Sequence, residues 1–315
     1  MADYLDEIIG QETAKRFIRT AIKRNNLYNF LLVGPRGTGK RLLSFALAKT
    51  LHCPLHSPNF TLIAPIPSKI KDKEDKIYEY TQQYLPENTV VELEDRAAIL
   101  IEQIRSLIAR LIHMPDRGSK RIVVILEADR LTDAAANCFL KTLEEPPLDT
   151  IFILTSSRPN FLLPTIRSRC QTVPFNYLRN REIKKIIFDG SDDFHTGSPG
   201  EILILQENDL ISQALTIFKS CPLNTKTAAA TAREYERKKI VDLLYPLLLL
   251  YRLVLYSKLN IEQNSEVARM VRKRATKISL ENIAHTLIRL NNSINSLEQN
   301  PNRLLLLFKL LKQLP

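Results

Sequence analysis

Long apolar runs are missing from this chain. The longest in its C-terminal part, residues 243–251, lies between Asp242 and Arg252. A membrane-spanning helix needs about 20 apolar residues, so no membrane partner is expected. The start, Met1-Ala2-Asp3-Tyr4, is acidic where a secretory signal would be basic, so no signal peptide is expected. Cysteine is also scarce. The four (Cys53, Cys138, Cys170, Cys221) are scattered and mostly beside apolar residues. That argues against a disulfide framework and for reduced thiols in a cytoplasmic protein. His52, Cys53 and His56 have no fourth ligand nearby, so no metal is expected there. Glycine numbers only eight in 315 residues, which makes any concentration of it informative.

What remains is ordinary for a globular protein: 44% hydrophobic and 25% charged residues. The length allows two or three domains. Net charge is +11, and residues 231–315 carry about +8 of it. Its densest cluster is Arg269, Arg272, Lys273, Arg274 and Lys277. Such a balance suits a polyanionic partner; a solvated helix face fits one cluster equally well.

Three of the eight glycines fall in Gly34-Pro35-Arg36-Gly37-Thr38-Gly39-Lys40. A short apolar strand, residues 30–33, precedes this stretch, and a helix from about 41 to 51 follows it. Strand, Gly-rich loop and helix are the context of a phosphate-binding loop. Glycines let main-chain N–H groups converge on phosphate oxygens, and the helix N-terminus adds partial positive charge. Lys40 would reach the terminal phosphates. The next position should carry a hydroxyl for Mg²⁺; here it is Arg41, a fixed cation.

A second organised stretch runs from 121 to 170. Residues 122–126 and 151–154 read as short buried parallel strands. Between them, 133–145 reads as a helix with Asp133 as N-cap, stopped by Pro146-Pro147. Together they make a βαβ unit. In such sheets, ligands sit at the carboxyl ends of strands. Around these, residues 1–28 and 99–114 read as helical, 69–76 as a solvated charged loop and 115–118 as a turn. Residues 181–188 read as a short helix, 190–200 as a polar loop, and everything from 202 onward as helical and Leu-rich.

These motifs carry a resemblance. Asp6-Glu7-Ile8-Ile9-Gly10-Gln11, the 34–40 loop, the run LTDAAANCFLKTLEEPP at 131–147, Ser168-Arg169-Cys170 and Gly197-Ser198-Pro199-Gly200 together resemble the AAA+ clamp-loader subunits of bacterial DNA polymerase III, the delta-prime type above all. The resemblance covers residues 1–205; the C-terminal helices match only in character. It implies an α/β fold: a RecA-like P-loop core with a parallel sheet (1–174), a small helical lid (175–230) and an all-α collar for oligomerisation (231–315). The implied nucleotide-loop residues are Gly34, Gly37, Thr38, Gly39, Lys40 and Arg41. Glu127 is then a remnant of the Walker B motif, and Ser156 stands at the sensor 1 position.

Departures from the family pattern shape the expected activity. Leu126 stands where active relatives carry the Mg²⁺-ordering aspartate, and Pro199 and Gly200 stand in place of a sensor 2 arginine. The family's zinc-binding cysteines are absent except Cys53, so zinc is not expected. Phosphoryl transfer needs metal, charge neutralisation and an aligned water. The isolated subunit is therefore expected not to hydrolyse ATP, and to bind ATP or ADP weakly without metal, or not at all. Arg169 remains as an arginine finger for a neighbouring subunit's ATP site. The implied partners are the tau/gamma and delta subunits in a hetero-pentamer, the sliding clamp, and primed DNA through the complex, in a bacterial cytoplasm. The collar's apolar runs, 243–256 and 302–311, are expected to need partner surface. Two alternatives stay open: an ATP-hydrolysing tau/gamma-type subunit, and a stand-alone AAA+ ATPase of DNA repair or helicase loading.

Overall fold

A computed structural model describes residues 3–27, 29–67, 70, 74–88, 91, 97–112, 119–187, 196–237, 240–261, 266–297 and 301–315. The turn expected at 115–118, residues 190–195 of the polar loop, and residues 69 and 71–73 of the charged run lie outside these. The chain forms two compact units. One comprises Met1–Ile186 with Gly197–Gly200, the other Ile187–Thr196 with Glu201–Pro315.

In the first unit the strands are β1 (Phe30–Val33), β2 (Phe60–Ile63), β3 (Arg121–Ile125), β4 (Thr150–Ser156) and β5 (Gln171–Pro174). They form one parallel sheet in the order β2-β3-β4-β1-β5. Its helices are α1 (Glu12–Lys23), α2 (Lys40–Thr50), α3 (Glu74–Gln82), α4 (Ile101–Leu111), α5 (Asp133–Glu144), α6 (Pro164–Arg167) and α7 (Asn180–Ile183).

Why the strands read as unbroken apolar runs is visible in the packing. Alternate residues point to opposite faces, and both faces are covered. Phe30, Leu32, Ile122, Val124 and Ile153 pack with Ile18 of α1 and Leu43 and Leu47 of α2. Leu31, Val123, Ile125, Phe152 and Leu154 pack with Leu107 of α4 and Phe139 and Leu143 of α5. Phe139 meets Phe152 edge to face at 5.2 Å. The parallel-sheet α/β core expected from the sequence is therefore present. One cap differs: Thr132 precedes α5, and its Oγ1 accepts from the Ala135 N–H at 3.3 Å, so Thr132 and not Asp133 is the N-cap.

The second unit is helical: α8 (Pro199–Glu207, whose first two residues belong to the first unit), α9 (Leu210–Ser220), α10 (Thr225–Arg237), α11 (Val241–Lys258), α12 (Glu266–Ala275), α13 (Leu280–Ser296) and α14 (Arg303–Lys312). Among the described residues no strand follows β5. A single core runs through the unit, from Leu205 on α8 to Leu314 beyond α14. Helix α11 is its centre, packed against α9, α12 and α13. This corrects the expectation drawn from the apolar runs. Leu243, Leu244, Leu247, Leu249, Leu250 and Leu253 are at most 1% exposed; their cover comes from this unit's own helices. Each fully buried leucine contributes about 1.5–3 kcal/mol, so the run stabilises the unit itself. In α14, Leu307, Leu310 and Leu311 are likewise buried, while Leu305 is exposed. No helix among the described residues is long and apolar enough to cross a membrane.

Candidate functional site

The strand order brings the carboxyl ends of β1, β3 and β4 together, because β4 lies between the other two. The Gly-rich loop leaves β1 there and enters α2 at Lys40. Gly34 is required by close approach: a Cβ on it would stand 2.2 Å from the Phe175 carbonyl oxygen. Thr38 is buried, and its hydroxyl donates to the Pro35 carbonyl at 2.8 Å. The Gln11 side-chain amide donates to the carbonyls of Thr38 (3.2 Å) and Asn176 (2.7 Å), and its oxygen accepts from the Asn176 N–H at 3.1 Å. The N-terminal motif thus braces the loop. Beside it a cavity of about 410 Å³ is lined by Ile8, Ile9, Gly10, Arg181 and Glu182.

Lys40 is 4% exposed. Its ammonium donates to the carbonyls of Gly34 and Pro35, both at 2.6 Å, and to the Ser157 hydroxyl at 3.1 Å. The Ser157 hydroxyl donates in turn to Glu127 Oε1 at 3.3 Å. Glu127 sits at φ 46°, in the left-handed region. A non-glycine residue there costs of order 1–3 kcal/mol. Its N–H is held by Thr155 Oγ1 at 2.9 Å.

Ser156 does not meet Lys40. Its hydroxyl donates to Asp129 Oδ1 at 2.7 Å. Asp129, with a 1% exposed side chain, also accepts from the Ser157 N–H at 3.2 Å and the Arg158 Nε at 3.1 Å. Period-two alternation at the end of β4 is the cause: Ser156 faces Asp129, and Ser157 faces the loop. The hydroxyl beside the lysine is therefore that of Ser157, while Ser156, the residue at the sensor 1 position of the family pattern, bonds Asp129. Asp129 stands after β3 in the sequence, but its partners lie 27–29 positions away, so its part in holding the end of β4 is visible only in the fold.

Arg41 turns away from the loop. Its guanidinium donates to the Asn88 carbonyl at 2.6 Å, and burial lowers its pKa below the ordinary arginine value. Leu126 is 3% exposed, within the core cluster of α1 and α2. The chain residues 197–200 lie over the loop's other side. The Ser198 hydroxyl donates to the Arg36 carbonyl at 2.7 Å, and the Gly200 N–H to the Gly37 carbonyl at 3.0 Å. Only glycine fits at 200, since a Cβ would stand 2.7 Å from the Gly37 Cα.

Arg169 lies on the rim, just after α6. One amino group donates to the Thr165 carbonyl at 2.8 Å, and the other pairs with Glu144 at the end of α5. The side chains are 30% and 47% exposed. Asn29 fixes the main chain here, donating to the carbonyls of Leu143 (3.0 Å) and Arg169 (3.3 Å).

The family model described as DNA polymerase III, delta subunit, matches residues 10–179, more than half of the chain. The protein belongs to that family. Among curated relatives, the DNA polymerase III subunit gamma/tau of Mycobacterium tuberculosis is 30% identical over 191 residues, 58% of this chain and 30% of that protein. The delta' subunit of Bacillus subtilis is 28% identical over 213 residues, 65% of this chain and 61% of that one. The chain thus spans less than two thirds of either relative. A gamma subunit-related protein of Thermotoga maritima is 20% identical over 95% of this chain and 97% of its own, with a TM-score of 0.48.

Neither Arg41 nor Leu126 offers a side-chain oxygen to Mg²⁺. At the two positions where the family pattern expects Mg²⁺ ligands stand a cation, Arg41, and a buried hydrocarbon, Leu126. The lysine that would meet phosphate is bonded to its own loop, and Gly200 rests on Gly37.

Proposed function

We propose that this protein is a delta-prime-type clamp-loader subunit that does not turn over ATP itself. It supplies Arg169 to the ATP site of a neighbouring subunit. The tau/gamma and delta subunits would complete the hetero-pentamer, and its work would be to place the sliding clamp on primed DNA in the bacterial cytoplasm. The observation that carries the reading is the contrast between two cations. Lys40 is buried and committed to Gly34, Pro35 and Ser157. Arg169 is part-exposed at the rim, held by a half-exposed carboxylate and a main-chain carbonyl. An always-charged, planar donor in that position suits charge developing on a γ-phosphate.

Two assays test this. Purified protein with Mg²⁺ and ATP should release no phosphate. In the reconstituted complex, Arg169→Ala should lower ATP turnover and clamp loading at matched assembly, with Arg169→Lys rescuing only in part. Equal rates for wild-type and Arg169→Ala complexes would reduce the protein to a spacer. The similarity to gamma/tau subunits favours a second reading, a hydrolysing subunit. Turnover by the lone protein that Lys40→Ala abolishes would decide for it.

A further inference from the structure

The second unit holds a cavity of about 830 Å³ between α9, α12 and the turn that follows α12. That volume is in the range of ligand pockets. Lys219, Arg269, Lys273 and Lys277 line it, all exposed. Arg274 lines it too, but its guanidinium is committed to the main-chain oxygens of Phe218, Cys221 and Pro315 and lies 4.8 Å from the Phe218 ring centre. No Asp or Glu side chain is among the lining residues. Among the described residues, none of the four exposed cations has an acidic partner. Apart from Asn282, the rest of the lining is largely apolar and includes Pro222, Ile278 and Met270, the last 37% exposed.

We propose that this cavity docks an acidic, extended peptide segment of a partner protein, with carboxylates on the basic wall and apolar side chains on the Met270–Ile278 floor. The spacing suits that ligand. Arg269 and Lys273 are four residues apart on α12, about 6 Å along the axis. Side chains on one face of an extended peptide recur every ~6.8 Å. Two carboxylates at alternate positions therefore meet two cations, while the intervening residue faces the floor. A nucleic acid uses only half of this lining. Its phosphates would meet the cations, but the one aromatic ring in the lining, Phe218, is 2% exposed and offers no stacking face.

The test uses the full chain, immobilised, and a displayed library of random decapeptides. Enriched sequences should alternate acidic with apolar residues. Enrichment should fall by about tenfold or more on the double variant Arg269→Glu, Lys273→Glu, since two charge-assisted contacts are reversed, and also on Met270→Ser. Circular dichroism should show all variants folded, because the substituted side chains are exposed; if the glutamate pair misfolds, Arg269→Gln with Lys273→Gln replaces it. No enrichment, a consensus without acidic residues, or equal enrichment on the charge variants would overturn the proposal. So would oligothymidylate binding, read by anisotropy, that the charge variants lose and Met270→Ser leaves unchanged; that result assigns the wall to a nucleic-acid backbone.

Discussion

Glu144→Ala separates the two roles open to Arg169. The pair joins side chains 30% and 47% exposed, so it belongs with surface ion pairs worth about 0.2–1 kcal/mol. Glu144 is also the last residue of α5. A negative charge at a helix C-terminus opposes the helix dipole at a cost of about 0.3–1 kcal/mol. The two terms nearly cancel, so Glu144→Ala should move the melting temperature of the isolated chain by less than about 3 °C. The arginine itself is affected differently. A hold of 0.2–1 kcal/mol leaves roughly two fifths to one sixth of the Arg169 side chains free at any moment. Loss of that pair, with the Thr165 carbonyl bond left in place, should raise turnover of the assembled complex by at most about two- to sixfold if engagement of that arginine limits the rate. Arg169→Ala should instead lower turnover at the site it serves by about 10³-fold or more. The assay is steady-state phosphate release at saturating ATP, with assembly matched by mass. If Glu144→Ala lowers turnover as far as Arg169→Ala does, the pair works as a structural unit and the finger argument fails.

Three further outcomes follow from the geometry. Lys40→Ala should destabilise the isolated chain by about 1–3 kcal/mol, because charge-assisted bonds to two carbonyls and a hydroxyl are lost; clamp loading by the complex should be unchanged, and an unaltered urea midpoint would show that the lysine has no structural role. Gly34→Ala should give insoluble or unfolded protein, since its Cβ would stand 2.2 Å from the Phe175 oxygen; a soluble variant with a normal melt would contradict the close approach. Burial pushes the Cys170 thiol up to about 12 and the Cys221 thiol up to about 11. Both thiols stay protonated in the folded chain while the unfolded chain ionises near 8.5, so stability should fall as pH rises from about 8.5 towards 11. Replacing both by alanine should flatten that fall relative to wild type in urea titrations; identical slopes would show that these thiols do not drive it.

The central strands and their loops were legible because signals coincided. For β1, the apolar run, the glycines and the following helix all point to one arrangement. For β3 and β4, short β-branched runs flank a capped helix. The edge strands were not legible, for the same physical reason in each. In β2 no residue before Ile63 is fully buried, and in β5 only Val173 is. An edge strand with one buried side chain leaves little periodicity to read. The end of β4 was also read short. The apolar run ends at Leu154, but pairing with β1 continues to Ser156, and a shift of one residue along a strand reverses the face. For the run 243–256, the expectation of partner surface failed on a quantity that sequence does not contain. Hydrophobicity shows that α11 must be covered, but whether by its own chain or by another depends on how α9, α12 and α13 fold around it.

The Gly-rich loop shows why a motif and its chemistry are separable claims. Its glycine at 34 is demanded by Phe175, and its lysine is satisfied by carbonyls of the loop itself. Both residues would be required here even if no phosphate ever entered. The discriminating positions are those with no such structural duty toward the loop. Arg41 reaches out to Asn88 and Leu126 fills the core, so neither can order a metal. Nor does the Glu127 carboxylate supply what is missing. It accepts a hydrogen bond from Ser157, the hydroxyl that also receives the Lys40 ammonium. Drawing Lys40 out to a phosphate would break its bonds to two carbonyls and to Ser157. A ligand would have to replace those three interactions without a metal to help. That combined cost, and not the absence of any single side chain, is the physical basis for expecting the loop to act as part of the frame that carries Arg169.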